Sequence, residues 1–430
     1  MESRTDLTDR PEVWPTLTSR RVVTTLAWLV GSLVWSVVLY RYLFHAWPGS
    51  NHRFGDLYQR LNESLWILHG RDPYFVGAHI SDNVPPSVSL LHLPLAELGR
   101  PWAGYVSVWL SCAAIPVICA AALSAVRPVP RSTALLVMTL VAPPAVGVML
   151  YPGASALGAG QDQLWFMALV VVDLLVLSTR RSGYLVGAVA GLSLWPGIFA
   201  AAVIARSGVR GLVRVAIGGV VTLVAGLMFS PSASWRYWTY LVPSGQVSVR
   251  GVNSSASWPV SGFKGTWNMS INAMLTRWPL GGPFASKAAW AVCFVLLVVL
   301  GLAIAWGLWR LGLVVTSLAV LSIAVVSSSP FAWDHHWVWV VLLLPFAALE
   351  CWRNHRVLSI VLWLSVLPFV RQLSRSVIAH APKHHGQLIF SSPVDALVMN
   401  RYVLAGLAVM LAAAISVLMA RRRTIGNEPA

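Results

Sequence analysis

Long apolar runs follow one another along almost the whole chain. Eleven of them reach or approach the length needed to cross a bilayer, and a shorter one covers residues 84–98. The eleven lie at roughly 22–44, 102–126, 133–150, 161–179, 183–205, 211–230, 286–309, 311–329, 336–352, 357–372 and 398–420. Only 11% of the residues are charged, against about 25% in soluble globular proteins. We therefore expect an all-α, polytopic membrane protein, because backbone exposed to lipid must satisfy its own hydrogen bonds.

The charge balance is strongly basic, with 31 Lys and Arg against 15 Asp and Glu. The basic residues stand in ones, twos and threes between the apolar runs, which is the pattern of cytoplasmic membrane loops and not of a surface that follows a phosphate backbone. Membrane lipid is therefore the expected surrounding, and nucleic acid is not an expected partner. The cysteines lie in or at the edge of apolar runs, so no loop disulfide or cysteine metal site is expected: Cys112, Cys119, Cys293 and Cys351.

The arginines at 20–21 and 421–423 place both termini in the cytoplasm and predict an even number of crossings of the cytoplasmic membrane. No small-residue cleavage site follows the polar first 20 residues, so we expect the first span to be retained. Two runs are ambiguous: 84–98 is short, and 183–205 is broken at Pro196. The count is ten without them and twelve with them. In either case four segments lie on the outer, periplasmic side, where we expect the chemistry: 45–83, 231–285, 330–335 and 373–397.

The first outer loop contains a clear helical pattern. Leucines recur at spacings of four, four and three residues, at Leu57, Leu61, Leu65 and Leu68. They predict an amphipathic helix in the outer interface, with Arg60 and Glu63 on its polar face, where the two can pair. Asp56 then stands in the first turn, at the level of a lipid-linked substrate's headgroup, as a candidate catalytic base. The alternative is structural, since Asp at a helix start is a common N-cap worth about 1 kcal/mol.

Two other acids are assigned structural roles. Asp72, followed by Pro73, is typical of a turn. Asp173 lies inside an apolar run, where a charge costs about 3 kcal/mol at mid-membrane. It is therefore expected to face protein or water and to pack near a neighbouring polar group.

The second long outer loop, 231–285, is rich in tryptophan and contains no Asp or Glu. Such a surface suits stacking against sugars and contact with phosphate. Trp258 and Trp267 are candidates for stacking on the acceptor sugar, and Lys264 and Arg277 are candidate contacts for a donor phosphate. The alternative is that these tryptophans only mark the membrane interface, where this residue type is enriched.

The segment 329–339, Ser-Pro-Phe-Ala-Trp-Asp-His-His-Trp-Val-Trp, lies at the outer start of a span. Adjacent histidines point about 100° apart on a helix, so His335 and His336 are not expected to hold a metal together. One of them could instead donate a hydrogen bond to a phosphate leaving group. The alternative is a helix start capped by Ser329 or Asp334. We expect no metal and no cofactor, and no motif for an ATPase, a zinc protease or an α/β-hydrolase is present.

Seven segments in a fixed order resemble the polyprenyl-phosphate-sugar-dependent glycosyltransferases of the GT-C superfamily, specifically glycosyltransferase family 87, with its actinobacterial α-mannosyltransferases. The resemblance covers most of the chain. The segments are GDLYQRLNESLWILHGRDPY (55–74), NVPPSVSLLHLPLAEL (83–98), GQDQLWFMALVVVDLL (160–175), SLWPGIF (193–199), SPSASWRYWTYLV (230–242), NMSINAMLTR (268–277) and SPFAWDHHWVW (329–339).

The resemblance implies a single transmembrane glycosyltransferase domain over 1–430, with about twelve spans and long outer loops at 45–83 and 231–285. It implies that Asp56 is the general base, and that His335 and His336 contact the donor phosphate or the active site. The implied reaction transfers mannose from polyprenyl-phospho-mannose to a mannose-containing lipid glycan, with inversion and an α-1,2 linkage. Two rivals remain: an arabinofuranosyltransferase that uses decaprenyl-phospho-arabinose, and a lipid or sugar transporter.

Overall fold

The computed structural model describes residues 19–46, 54–74, 84–241, 268–277, 283–371, 383–384, 387–388 and 397–425. The helices in this part of the chain are α1 Ser19–Ala46, α2 Gly55–Leu68, α3 Pro86–Glu97, α4 Arg100–Val126, α5 Arg131–Pro144, α6 Tyr151–Ala159, α7 Gln163–Leu175, α8 Tyr184–Leu192, α9 Ala200–Phe229, α10 Pro231–Arg236, α11 Ile271–Arg277, α12 Pro283–Arg310, α13 Val314–Ser328, α14 Val338–Val341, α15 Leu344–Cys351, α16 Arg356–Leu364 and α17 Arg401–Ile425. Short 3₁₀ turns cover Trp195–Phe199, Asp334–Trp337 and Leu367–Phe369, and π turns cover Ala145–Met149 and Tyr237–Leu241.

The helical architecture expected from the apolar runs is confirmed. Within the described ranges, six helices are long and apolar enough to cross a membrane: Arg21–Leu43, Arg100–Val126, Arg131–Met149, Trp195–Phe229, Ala288–Arg310 and Arg401–Arg422. Three further apolar helices are shorter, at Gln163–Leu175, Val314–Ser328 and Arg356–Phe369. A small exception to the all-helical fold is the antiparallel pairing of β1 (Lys383–His384) with β2 (Gln387–Leu388).

Both runs that are ambiguous in the sequence form short or broken helices. The run 84–98 becomes α3, whose 12 residues extend over about 18 Å, less than the hydrocarbon core of a bilayer. The run 183–205 is interrupted, because α8 ends at Leu192 and a 3₁₀ turn at Trp195–Phe199 separates it from α9. The break therefore falls at the predicted Trp-Pro-Gly sequence.

Helix α4 is the centre of the bundle. It packs against α1, α3, α5, α7, α13 and α15, and 72% of its most apolar stretch is buried. The corresponding stretch of the α9 segment is only 11% buried and that of α12 only 17%. Apolar helices that bury so little against protein need another apolar surrounding, which a bilayer supplies.

Asp173 is buried near the end of α7 and binds backbone groups of the next helix. Its carboxylate accepts hydrogen bonds from the N–H groups of Gly183 at 2.6 Å, Leu185 at 2.8 Å and Val186 at 2.9 Å. These N–H groups belong to the start of α8, which has no partner for them within the helix. The expectation that Asp173 packs near neighbouring polar groups is confirmed.

Candidate active site

Helix α2 begins where the leucine spacing predicts, and Asp56 lies in its first turn. The residue before the helix, Phe54, is buried with a φ of 54°, and its N–H donates to the carbonyl of Gly158 at 2.9 Å. Phe54 occupies the N-cap position and no side chain caps this helix. The half-buried carboxylate of Asp56 instead accepts a hydrogen bond from Nε2 of Gln161.

Gln161 connects Asp56 to a buried ion pair. Its Oε1 accepts a hydrogen bond from Nη2 of Arg60 at 3.0 Å. The other terminal nitrogen of Arg60, Nη1, lies 2.6 Å from Oδ2 of Asp162. Arg60 and Gln161 are each 4% exposed and Asp162 is 1% exposed. Four side chains thus form one continuous polar chain, from the protein interior to the carboxylate of Asp56.

Gly160 allows the turn that carries Gln161 to pack closely against α2. It ends α6 with a φ of 71°, the left-handed conformation that glycine adopts at helix C-termini without a steric penalty. A Cβ atom at this position would lie 2.6 Å from Cβ of Leu57 and 3.1 Å from the ring of Phe54. The backbone therefore approaches the first turn of α2 more closely than any other residue type permits.

The prediction for the polar face of α2 is wrong in one respect. Arg60 and Glu63 are expected on an exposed face, but both are buried, at 4% and 1% exposure. The reason is that α2 packs against polar partners on two sides. Arg60 pairs with Asp162, while Glu63 accepts a hydrogen bond from the hydroxyl of Ser89 on α3 at 3.3 Å.

The two histidines lie in the 3₁₀ turn Asp334–Trp337, which packs against α6. The N–H of Trp333 donates to Nδ1 of His336 at 3.1 Å, so this ring is neutral and carries its proton on Nε2. His335 is 7% exposed, and its ring meets that of His336 edge-on, with centroids 4.5 Å apart. Asp334 accepts a hydrogen bond from the N–H of its neighbour His335 at 2.9 Å. The N-cap position is Trp333, so neither Ser329 nor Asp334 caps this turn as the alternative reading expected.

A second segment, residues 268–272, binds the chain just before the histidine turn. The N–H of Met269 donates to the carbonyl of Ala332 at 2.7 Å, and the N–H of Ala332 donates to Oδ1 of Asn268 at 3.1 Å. The carbonyl of Pro330 accepts bonds from Asn268, Ser270 and Asn272. The sixth and seventh segments of the family pattern are therefore bound together.

Residues 72–74, at the end of the segment 45–83, contact the start of the segment 231–285. Asp72 accepts a hydrogen bond from the N–H of Tyr74 at 2.9 Å, as expected for a turn, and forms an ion pair with Arg236 at 3.0 Å. The rings of Tyr74 and Tyr237 lie 6.0 Å apart. Burial raises the pKa of Tyr74 well above its usual value, so the hydroxyl stays protonated and donates to the carbonyl of Val84 at 2.6 Å.

The structure places only some of the predicted site residues. Asp56, His335 and His336 lie on elements that pack against α6. Trp258, Lys264 and Trp267 lie outside the described residues, and so does the side chain of Arg277, at the end of α11. Among the described residues no three His, Cys, Asp or Glu side chains are arranged to hold a metal ion.

Sequence reasoning missed the roles of Arg60, Gln161 and His92. His92 on α3 is fully buried, and its Nδ1 donates to the carbonyl of Val88 at 2.9 Å, which leaves Nε2 as an acceptor without a hydrogen-bond partner in the described part of the chain. Arg60 is close enough for its charge to act on both His92 and His336. A signal was present, because Gln161-Asp162-Gln163 is an unusual polar group at the start of an apolar run.

Comparison with known proteins identifies the family of this chain. The chain is 27% identical over 384 residues to a polyprenol-phosphate-mannose-dependent alpha-(1-2)-phosphatidylinositol mannoside mannosyltransferase of Mycobacterium tuberculosis, covering 84% of each chain. It is 26% identical over 363 residues to a protein of the same description from Mycolicibacterium smegmatis, covering 75% of this chain and 78% of the relative. No solved structure matches. The sequence model of glycosyltransferase family 87 matches residues 85–330, more than half of the chain, so the chain belongs to glycosyltransferase family 87.

Proposed function

We propose that this glycosyltransferase transfers mannose from polyprenyl-phospho-mannose to a mannose-containing lipid glycan, forming an α-1,2 linkage with inversion, on the outer face of the cytoplasmic membrane. The two mycobacterial relatives are described as polyprenol-phosphate-mannose-dependent alpha-(1-2)-phosphatidylinositol mannoside mannosyltransferases, which names a polyprenol-phosphate-mannose donor and a phosphatidylinositol mannoside acceptor. The observation that carries the proposal is the placement of Asp56. Its half-buried carboxylate is fixed by Gln161 at the start of α2, where a lipid-linked headgroup would lie.

The reaction needs a base more than it needs an acid. The acceptor hydroxyl oxygen attacks the anomeric carbon, the bond from that carbon to the phosphate oxygen breaks, and its electron pair leaves with the phosphate. Asp56 takes the hydroxyl proton. One carboxylate on the face opposite the phosphate gives a single displacement with inversion, by the geometric logic of inverting glycosidases. A β-linked mannosyl phosphate therefore yields an α-mannoside.

The leaving phosphate needs hydrogen-bond donors, and the histidine turn offers one. Because Nδ1 of His336 is occupied by the N–H of Trp333, its Nε2–H can donate to a phosphate oxygen as charge develops there. We propose His335 and His336 as donor-phosphate or active-site contacts, together with Lys264 and Arg277. Trp258 and Trp267 remain our proposal for acceptor stacking.

The twelve crossings implied by the resemblance would place Gly158 and Gln161 on the cytoplasmic side, although they contact Phe54 and Asp56 of the outer loop 45–83. The topology that we propose therefore has both termini in the cytoplasm, one domain over 1–430, and ten crossings, with α3 and the broken run 183–205 entering the membrane without crossing it. Contacts between the expected outer segments support it. Residues 72–74 meet Arg236 and Tyr237, and residues 268–272 meet 330–332. Segments that are far apart in sequence thus meet in two pairs, as is expected of loops on one side of a membrane.

A labelling experiment tests this orientation. A cysteine introduced at Ser254 is expected to react with an impermeant reagent added outside cells, because the loop 231–285 is outer, whereas a tag after residue 430 is expected to be accessible only from the cytoplasm. The native cysteines are replaced first, and a cysteine at Thr179, at the opposite end of α7 from Gln161, provides the inner control. Reaction at position 254 only from the cytoplasmic side would contradict the proposal.

The activity itself is tested with purified protein, radiolabelled polyprenyl-phospho-mannose and a mannolipid acceptor. The expected product is a mannolipid with one additional α-1,2-linked mannose. Decaprenyl-phospho-arabinose, offered in parallel, is expected to give no product. Transfer of arabinose in place of mannose, or movement of a labelled lipid across the membrane without a new glycosidic bond, would favour one of the rival functions.

We expect transfer to continue in excess chelator and without any added cofactor. The acids near the site have other partners, since Asp162 pairs with Arg60, and Asp334 accepts a hydrogen bond from the N–H of His335. A divalent ion prefers several oxygen ligands that converge on one point. The rate measured with EDTA is therefore expected to match the untreated rate within error. A loss of turnover that Mg²⁺ or Mn²⁺ restores would contradict this expectation.

A further inference from the structure

We propose that Gln161 is the positioning residue of the transfer reaction, and that Arg60, held by Asp162, determines the direction in which the amide of Gln161 points. The proposal rests on the proposed role of Asp56 as the base. It concerns which oxygen of the Asp56 carboxylate faces the substrate. The chemistry of the reaction does not by itself require either one.

The chemistry of the groups leaves one orientation for the Gln161 amide. A guanidinium has only donors, so the atom of Gln161 that lies 3.0 Å from Nη2 of Arg60 must be the acceptor Oε1. The amide nitrogen then faces Asp56 and donates to its Oδ2. Turning the amide over would place two donors together at Arg60 and two acceptors together at Asp56. Arg60 thereby excludes the reversed amide.

Burial makes this orientation stable. Arg60, Gln161 and Asp162 are all at least 95% buried, and the Arg60 guanidinium has its charge balanced by Asp162. A paired, water-excluded guanidinium has little freedom to move. Only Asp56, at the end of this chain of side chains, is half-buried and able to meet a substrate.

The two oxygens of the Asp56 carboxylate therefore have different roles. Oδ2 is held by Gln161, whereas Oδ1 has no hydrogen-bond partner among the described residues. Oδ1 is thus the oxygen that faces the acceptor hydroxyl. Losing the bond at Oδ2 frees the carboxylate to rotate, which lowers the fraction of bound complexes in which the base is aligned. The loss therefore falls on kcat and not on the KM of either substrate.

The first test replaces Gln161 by methionine, which has a similar length but no donor. In Gln161→Met we expect kcat to fall at least tenfold, with both KM values changed less than twofold. The matched control is Gln163→Met, two residues along the chain. Gln163 is also buried, and its Oε1 accepts from the indole N–H of Trp339 at 3.2 Å, so its loss costs stability but leaves the base aligned. A Gln161→Met enzyme with kcat within twofold of wild type would overturn the proposal.

A second variant does not depend on that result. Gln161→Glu keeps an acceptor for Arg60 but sets a second carboxylate against Asp56, and two carboxylates that share a site retain one proton to higher pH. The acid limb of the kcat profile is expected to move up by about one pH unit or more. An unmoved profile would overturn the proposal. The other charged or titratable groups on the elements packed around this site are Tyr58, Arg60 and Glu63 on α2, His92 and Glu97 on α3, Arg100 over the Tyr58 ring, Tyr151 on α6, Asp162 before α7, and Asp334, His335 and His336 in the histidine turn.

The role of Arg60 is tested by non-additivity. Arg60→Met is combined with Asp162→Asn, so that no buried charge is left alone. This pair is expected to lower kcat about as much as Gln161→Met and to add less than threefold in the Gln161→Met background, because both act through one bond. Multiplicative losses would show that Arg60 acts independently. If Asp56→Asn is inactive while Gln161→Met is fully active, only this inference fails; if Asp56→Asn is fully active, the proposed base fails.

Discussion

Asp56→Asn is expected to abolish mannosyl transfer while leaving the protein folded and able to bind its donor. The amide keeps the size of the carboxylate and an oxygen that can accept from Gln161, so the contact at the start of α2 survives. It cannot take a proton from the acceptor hydroxyl. General-base assistance contributes about 10²–10⁴-fold, so kcat should fall on the order of 10²-fold or more. The measurement is the transfer rate of purified protein matched to wild type by melting temperature and donor binding.

Asp72→Asn is the control for this prediction. Asp72 lies in the same loop, and its partly exposed ion pair with Arg236 contributes at most about 1 kcal/mol. Its transfer rate is expected to stay near that of wild type. Near-normal transfer by Asp56→Asn would exclude this residue as the base. Asp334 and Glu63 would then be tested, although both are buried and already accept hydrogen bonds within the protein.

Gly160→Ala is expected to produce the largest loss of stability among small substitutions near the site. The left-handed backbone costs alanine about 1 kcal/mol, and overpacking against Leu57 and Phe54 adds about 1–3 kcal/mol. The same collision pushes the turn that carries Gln161 away from Asp56, so transfer should fall along with stability. Thermal unfolding in detergent and the transfer rate are measured on one preparation.

Gly70→Ala separates the two causes. Gly70 has nearly the same backbone conformation, with a φ of 69° against 71° at Gly160, but a Cβ there meets nothing within 4 Å. Its substitution therefore carries the conformational cost alone, about 1 kcal/mol, and should leave transfer unchanged. Equal effects of the two substitutions would mean that the close approach of Gly160 to α2 does not matter.

Local features of this fold were predictable because local physics sets them. The leucine spacing predicted α2, including the position of Asp56 in its first turn, since helical periodicity depends only on nearby residues. The Trp-Pro-Gly break in the run 183–205 is predicted for the same reason, because proline at position 196 cannot continue a helix. The buried carboxylate of Asp173 follows from the cost of leaving it alone in an apolar phase.

The polar chain behind Asp56 could not be predicted in this way. Arg60 and Gln161 are 101 residues apart, and nothing in the neighbourhood of either indicates the other. Arg60 fits an exposed polar face equally well from spacing alone, and only the packing of α2 against α3 and α6 decides its burial. For the same reason, the membrane crossings cannot be counted from apolar runs. The run 161–179 yields a helix of only 13 residues, and its ends are set by contacts with other elements.

The bonds of Asp173 also constrain how the chain enters the membrane during synthesis. Helix α7 leaves the ribosome before α8, so the carboxylate reaches the translocon before the N–H groups of Gly183, Leu185 and Val186 that will donate hydrogen bonds to it. An unsatisfied aspartate at that moment carries a penalty of about 3 kcal/mol for partition into lipid, in a helix that is short by itself. Helices α7 and α8 therefore become a stable membrane segment only together, as a single unit of insertion.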